Sequence, residues 1–326
     1  MKKQIFLFAS AAMLLFAGCQ KNNADITTDD DFSSVPNQRS CYSYEVLEEQ
    51  LKADPQLASR MQAIEDVTRQ VAENPAQYRL LADGTIEIPV VFNVLYKTAA
   101  QNVSQTQLQG QIDVLNEDFA ATNADYNITP TVFQSVRSGN IGIRFVLDAV
   151  YRKQTNKSSW MTNDAMKKST QGGINPTSPL TKLNVWVCNM SGGILGYAQF
   201  PGGSSATDGV VLDDNATGRT GTAAAPFNKG RTATHEVGHF LNLRHIWGDA
   251  TCGNDFVGDT PNHNTSNGGC PSYPHYSTCA GNPIEMTMNY MDYTYDACMY
   301  MFSEGQKTRM KATFATGGGR TSFAQP

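Results

Sequence analysis

The 326-residue chain has only five histidines, no long run of basic residues and no internal repeat. Lysine and arginine total 25 against 30 aspartates and glutamates, a formal charge of −5. Without a basic stripe, nucleic acid is excluded as a partner. The densest acidic stretch, Asp29-Asp30-Asp31, reads as a solvated linker. Beyond the first 18 residues no apolar run reaches the ~20 residues that span a bilayer. A hydrophobic fraction of 40% and an aromatic fraction of 10% exclude a disordered or fibrous chain. The length suits one large domain or two modest ones.

The N-terminus is different. Lys2 and Lys3 precede an apolar run, Ile5 to Ala17, too short to cross a bilayer stably. It ends in Phe16-Ala17-Gly18-Cys19, which resembles a bacterial lipobox. That resemblance implies a signal peptide over 1–18, cleavage before Cys19 and lipidation of its thiol. The plainer alternative is a secretory signal that contains a cysteine. Gln20, not Asp, follows, which favours the outer membrane. The expected location is the bacterial cell envelope, as an outer-membrane lipoprotein or secreted after processing, with membrane contact only through this anchor. Cys41, Cys188, Cys252, Cys270, Cys279 and Cys298 remain. An even number in an exported chain suggests disulfides, with the pairing open.

Residues 19–40 are polar and read as a tether. Over 41–83, apolar residues from Val46 to Val71 recur at helical steps, interrupted at Pro55 and stopped near Asn74-Pro75. Asp83-Gly84 signals a turn. Ile86 to Tyr96 reads as a β-branched strand, and Ser104 opens a helix to about Phe119. Further strands are expected at 141–150, 183–187 and 209–212. The stretch 196–200, glycine-flanked and proline-terminated, reads as an edge strand. Helices follow at 231–243 and 304–314. This order gives a mixed α/β subdomain over 84–245 and an irregular one over 246–326.

Three of the five histidines fall in one eleven-residue window. His235 and His239, at i and i+4, stand one turn apart on one helix face. His245 follows, and the chain must leave the helix to bring it back. Three imidazoles leave an open position, the ligand set of a hydrolytic zinc rather than a structural one. Glu236, beside the first ligand, is placed to take a proton from a water polarised by the metal and pass it to a leaving amine. The alternative is a set of ordinary histidines on an amphipathic helix.

The window HEVGHFLNLRHIWGD resembles the pappalysin group of metzincins, the cytophagalysin- and ulilysin-like peptidases. CGNDFVGDTP (252–261) and the Met-turn-like Asn289 to Tyr293 extend the match over roughly 84–315. The implied fold is the α/β (α+β) metzincin fold: a mixed, mostly parallel twisted sheet with backing and active-site helices, plus a disulfide-stapled C-terminal subdomain. Where the family has a turn-forming glycine this chain has Asn242, the next residue most tolerant of a positive φ. The resemblance further implies Met291 as an apolar floor beneath the zinc and Tyr293 as a hydroxyl donor to the tetrahedral intermediate. It implies Cys252–Cys279 and Cys270–Cys298 disulfides, and calcium at Asp255, Asp259 and Thr260; Asp side chains capping a turn are the alternative there. The edge strand at Gly196 and Tyr197 would bind substrate antiparallel, and Asp296 is the candidate partner for a basic residue after the cut bond.

Residues 41–83 would then be a pro-segment, with Cys41 placed to block the zinc of a zymogen; a Cys41–Cys188 disulfide is the competing use of that thiol. The expected function is a zinc endopeptidase acting on extended protein or peptide substrates. A catalytically weak surface adhesion protein on the same scaffold is the rival, hinted at only by Asn242.

Overall fold

The computed structural model describes residues 39–74 and 85–324. The signal peptide, Cys19, the acidic triplet, most of the tether and the Asp83-Gly84 turn lie outside these residues. Two helices, α1 (Ser43–Ala53) and α2 (Leu57–Glu73), form the N-terminal segment, broken at Pro55 as the sequence suggests.

A five-stranded sheet follows, in the order β2-β1-β3-β5-β4. Its members are β1 (Ile86–Tyr96), β2 (Ile143–Gln154), β3 (Leu183–Cys188), β4 (Gly196–Ala198) and β5 (Val210–Asp213). All pairings are parallel except β4 against β5. Strand β1 is flanked on both sides, and its centre from Val90 to Leu95 is buried on both faces and apolar except at Asn93, as suits an interior parallel strand. Pro89 is tolerated there because β3 pairs only from Val90 onward, so one edge is open at the proline.

Helix α3 (Gln105–Phe119) backs the sheet. The Ser104 side chain accepts the Gln107 N–H at 3.1 Å to start it. Leu108, Ile112, Leu115 and Phe119 bury one face in the main core. Asn116 ties the helix to β2 through both the N–H and the carbonyl of Phe145. Helix α4 (Arg231–Phe240), which carries the first two histidines, is wholly buried. Beyond it the chain is irregular until α5 (Glu304–Ala312), which opens on a Ser303/Gln306 capping box. Cys252–Cys279 and Cys270–Cys298 bridge this irregular part, the pairing the family resemblance implies.

Asp118 on α3 anchors α4. Its buried carboxylate accepts from Thr234 at 2.7 Å and from the Tyr290 hydroxyl at 2.7 Å, with Arg231 at 3.7 Å. Burial raises its pKa to about 6, against the pull of Arg231. Asp118→Ala would orphan two buried hydroxyls, a loss of about 3 kcal/mol. The expected midpoint shift in calorimetry is roughly 6–12 °C downward; an unchanged midpoint would contradict this anchoring.

Candidate active site

Helical spacing brings His235 and His239 to one face of α4, and a turn beyond Phe240 returns His245 to them. That turn passes through Asn242 at φ 71°, the left-handed conformation expected of it. Arg309 of α5 donates to the Asn242 carbonyl at 2.6 Å and holds the turn from outside.

All three imidazoles are buried. Each Nδ1 has an oxygen acceptor: the Tyr290 carbonyl at 2.6 Å for His235, the Leu243 carbonyl at 2.8 Å for His239, and the Asp249 carboxylate for His245. Nδ1 therefore carries the proton, and each ring presents the lone pair of Nε2. The Nε2 atoms stand 3.2 Å (His235–His239) and 3.1 Å (His239–His245) apart. Lone pairs facing at that distance repel unless a cation lies among them. Tetrahedral zinc with nitrogens at about 2.0–2.1 Å would space them by about 3.3–3.4 Å, so the donor set fits zinc. Burial, then the neighbouring imidazoles, depresses the pKa of His235 and His239, which suits neutral ligands.

The fourth donor is a thiol. Cys41 Sγ and the three histidines form a group whose ligand atoms all lie within 4.8 Å of one another. Among the described residues no other group of three or more His, Cys, Asp or Glu side chains is so arranged. Burial, then the charge of Glu236, pushes the thiol's pKa up; a divalent cation would bring it down. Cys41 and Cys188 are both unpaired, so the competing disulfide is not formed.

Glu236 is buried beside this group. Its Oε2 accepts from Ser43 Oγ at 2.9 Å and from Cys41 Sγ at 3.4 Å, and its Oε1 has no protein partner. Burial raises its pKa to about 7, opposed by Ser43, Cys41 and Arg39. Met291 lies against α4 at Gly238, where an added Cβ would stand 2.5 Å from its sulfur. The Tyr293 hydroxyl donates to the Cys41 carbonyl at 2.9 Å.

The N-terminal segment reaches these groups along β4. Leu195 N–H donates to Ser40 O at 2.9 Å, Tyr42 N–H to Gly196 O at 3.1 Å, and Ala198 N–H to Ser43 Oγ at 2.8 Å. The Cys41–Gly196 pairing is parallel. Gly196 is thus an edge-strand contact. The Tyr197 side chain is fully buried and donates to Asp164 at 2.9 Å, so what it could offer a substrate on this edge is its backbone alone. Side chains alternate along a strand, and the tyrosine falls on the inner face.

Asp296 is not a surface residue. It is fully buried, and its Oδ2 accepts the N–H groups of Lys229 (2.8 Å) and Arg231 (3.2 Å) where α4 begins. Its Oδ1 holds Arg39 Nη2 at 2.5 Å. Arg39 also donates to Thr232 Oγ1 at 3.0 Å and to the Thr294 carbonyl at 3.3 Å, with its guanidinium 5.0 Å from the Phe227 ring centre. Arg39 and Ser40 therefore do not belong to the tether assigned over 19–40; they are packed into the site. Asp255 accepts from Thr260 Oγ1 (2.8 Å) and Val257 N–H (3.1 Å), while Asp259 accepts from Ser303 Oγ (2.6 Å) and Gly305 N–H (2.8 Å) at the start of α5. The capping alternative describes these two carboxylates.

Sequence reasoning missed Arg39, Ser43, Asp249 and Glu65. The tripeptide Arg39-Ser40-Cys41 carried a signal for the first: a base two residues before a zinc-facing thiol, in a chain with a candidate acidic pocket.

Comparison with known proteins agrees with this geometry. The model of the M43 peptidases, described as pregnancy-associated plasma protein-A, matches residues 179–315. An extracellular metalloprotease of Arthroderma benhamiae is 31% identical over 232 residues, covering 69% of this chain and 76% of that protein. Extracellular metalloprotease 1 of Coccidioides posadasii is 31% identical over 238 residues, covering 70% and 76%. Among solved structures, a promirolysin point mutant of Tannerella forsythia is 41% identical, covers 88% of this chain and 97% of its own, and superposes with a TM-score of 0.79. Mature mirolysin of the same organism, bound to a cleaved peptide, is 45% identical, with 74% and 97% covered and a TM-score of 0.71. The chain thus has the metzincin fold, is a zinc metalloendopeptidase, and belongs to the pappalysin-type M43 peptidase family.

Proposed function

We propose that the chain is made as a latent endopeptidase, exported by its signal peptide and anchored in the cell envelope through a lipid on Cys19, whose segment from Arg39 to Asn74 fills the cleft it must later vacate. The observation that carries this is the convergence of Cys41 Sγ with three histidine Nε2 atoms. A thiolate there takes the position that water needs. The pro-form of mirolysin covers 88% of this chain and the mature form 74%, which supports a removable N-terminal part. Relatives named extracellular metalloproteases support export.

Zinc, when bound by His235, His239 and His245, supplies Lewis acidity that lowers the pKa of water toward about 7. Glu236 accepts the proton of the attacking water on its free carboxylate and returns it to the leaving amine. A carboxyl with a pKa near neutrality suits both transfers. Tyr293 donates its hydroxyl to the oxyanion formed from the scissile carbonyl; in this structure the Cys41 carbonyl stands in for that group. Substrate pairs antiparallel with β4, whereas the N-terminal segment pairs parallel to it. The segment therefore presents its peptide bonds with reversed polarity. Arg39 occupies the Asp296 pocket as the basic side chain of a substrate would, after the cut bond.

Two measurements test this reading. Casein digestion by the full chain, and by the form activated through limited proteolysis between Glu73 and Ile86, is compared with and without a zinc chelator. The activated form should cleave, the chelator should stop it, and the full chain should be silent; a full chain as active as the cut one refutes latency. In the activated form, Asp296→Asn should reduce the preference for arginine over glutamine after the cut bond by at least about tenfold, since a buried charge pair loses its partner. An unaltered preference in peptide-library cleavage would remove Asp296 from that role.

A further inference from the structure

The chain end that follows α5 delivers an arginine between the zinc helix and the edge strand. Gly317, Gly318 and Gly319 turn the chain back where side chains would collide. An added Cβ at Gly318 would stand 2.2 Å from the Ala312 carbonyl oxygen, and one at Gly319, at φ 89°, would stand 2.9 Å from Pro201. Arg320 comes next and is buried. Its Nε donates to the Phe240 carbonyl at 3.1 Å, and its Nη2 to the Gln199 carbonyl at 3.3 Å. Nη1 and Nη2 hold the two carboxylate oxygens of Asp208, the contact from Nη2 measuring 3.0 Å. The guanidinium carbon also lies 3.6 Å from the Phe240 ring centre.

Each partner belongs to a working part of the site. Phe240 closes α4 directly after the ligand His239. Gln199 follows β4, the strand that meets the N-terminal segment and, in the proposed complex, the substrate. Asp208 precedes β5, which pairs with β4, and the Gln199 N–H extends that ladder by donating to Gly209 O at 3.0 Å. Asp208 Oδ1 also accepts from Gln199 Nε2 at 3.4 Å. One buried guanidinium therefore ties the end of the zinc helix to the substrate strand. Its planar fork serves three acceptors at fixed angles, which the point charge of a lysine does not reproduce. Stability alone does not call for such a pair, since apolar residues of similar volume often hold a fold as well. None of these four residues lies in 39–74, so removal of that segment takes none of them away.

We infer that Arg320 is a positioning residue for peptide hydrolysis: with Asp208 it fixes the spacing between α4 and β4, and so how closely a scissile carbonyl held on β4 comes to Glu236 and the three histidines. It touches neither the substrate nor the metal ligands' imidazoles. Its leverage comes from geometry, because a displacement of about 1 Å can cost about 10²-fold in rate. This rests on the reading that substrate pairs along β4.

The test uses the zinc-loaded full chain activated by limited proteolysis, with an extended peptide substrate and analogues in which one backbone amide near the cut bond is replaced by an ester. An ester cannot donate to a β4 carbonyl such as that of Gly196, which the Tyr42 N–H occupies in this structure. In the unaltered protein the most sensitive replacement should lower kcat/KM by at least about fivefold, the loss of one hydrogen bond. Arg320→Lys should keep one zinc per chain and KM within about threefold, while kcat for the all-amide peptide falls at least about tenfold. Its amide-to-ester ratio should shrink below about twofold, because a bond to a displaced strand no longer brings the carbonyl to the zinc site. That ratio is taken within one variant, so a general loss of activity does not imitate it. Arg320→Gln combined with Asp208→Asn removes both buried charges together, should behave in the same way, and serves if Arg320→Lys fails to fold. Loss of zinc, a kcat within about twofold of the original, or an amide-to-ester ratio that survives the substitution overturns the positioning role. A ratio near one in the unaltered protein is a different failure: it refutes pairing along β4, and the inference falls with it.

Discussion

Glu236→Ala should lower kcat of the activated protein by about 10²–10⁴-fold, the span a positioned general base contributes, while zinc content stays at one ion per chain. The structure separates the two roles. The histidines, with Nε2 atoms 3.1–3.2 Å apart, would hold the cation, and Glu236 lies beside them with one oxygen unpartnered. Burial raises its pKa to about 7, so its ionised form is disfavoured where it sits. Its protein partners there, Ser43 and Cys41, belong to the N-terminal segment, so in the activated protein the alanine variant should fold about as stably as the original. Zinc content by mass spectrometry, the thermal midpoint and steady-state hydrolysis together check this. Retention of kcat within a few-fold would remove Glu236 as the base, and loss of zinc would mean it does more than move protons.

The second large effect concerns latency. The full chain with Cys41→Ala and Arg39→Ala should hydrolyse a quenched peptide at least about 100-fold faster than the unaltered full chain, before any cut between residues 73 and 86. Arg39 is paired with a fully buried Asp296, and breaking such a pair by removing one partner destabilises by about 3–5 kcal/mol. One such loss already shifts the open and closed populations by a factor of about 10² or more. Cys41→Ala removes the sulfur ligand as well, and leaves the segment held chiefly by Ser43, by its backbone bonds along β4 and by the Glu65–Arg309 contact. A double variant that stays silent until cut, yet is fully active afterwards, would show that neither residue maintains the block.

The parts legible in the sequence share a local cause. The i, i+4 histidine pair fixes its own geometry once the segment is helical, and Asn242 adopts φ 71° because few residues other than glycine tolerate that region. Strand β1 and helices α1 to α3 follow from periodicity and caps, and nearly match their expected limits. What stayed hidden depends on contacts between residues far apart in the chain. Arg39 meets Asp296 across 257 positions, and Glu65 meets Arg309 across 244. Neither leaves a period or a spacing to read. The burial of the Tyr197 side chain was also hidden: the sequence marked an edge strand, but which side chains turn inward depends on its pairing with β5. Asp249, on the His245 imidazole, was read only as the end of a matching window, because a carboxylate that orients a ligand looks like any other acid until the fold closes.

Latency of the proposed kind requires a sulfur bound at the metal in the full chain and absent from the activated one. X-ray absorption at the zinc edge, recorded on the zinc-loaded full chain and again after proteolytic activation, reads this directly. The predicted result is one sulfur and three nitrogen ligands before activation, and nitrogen and oxygen ligands only afterwards. A full chain whose zinc shows no sulfur neighbour would contradict it.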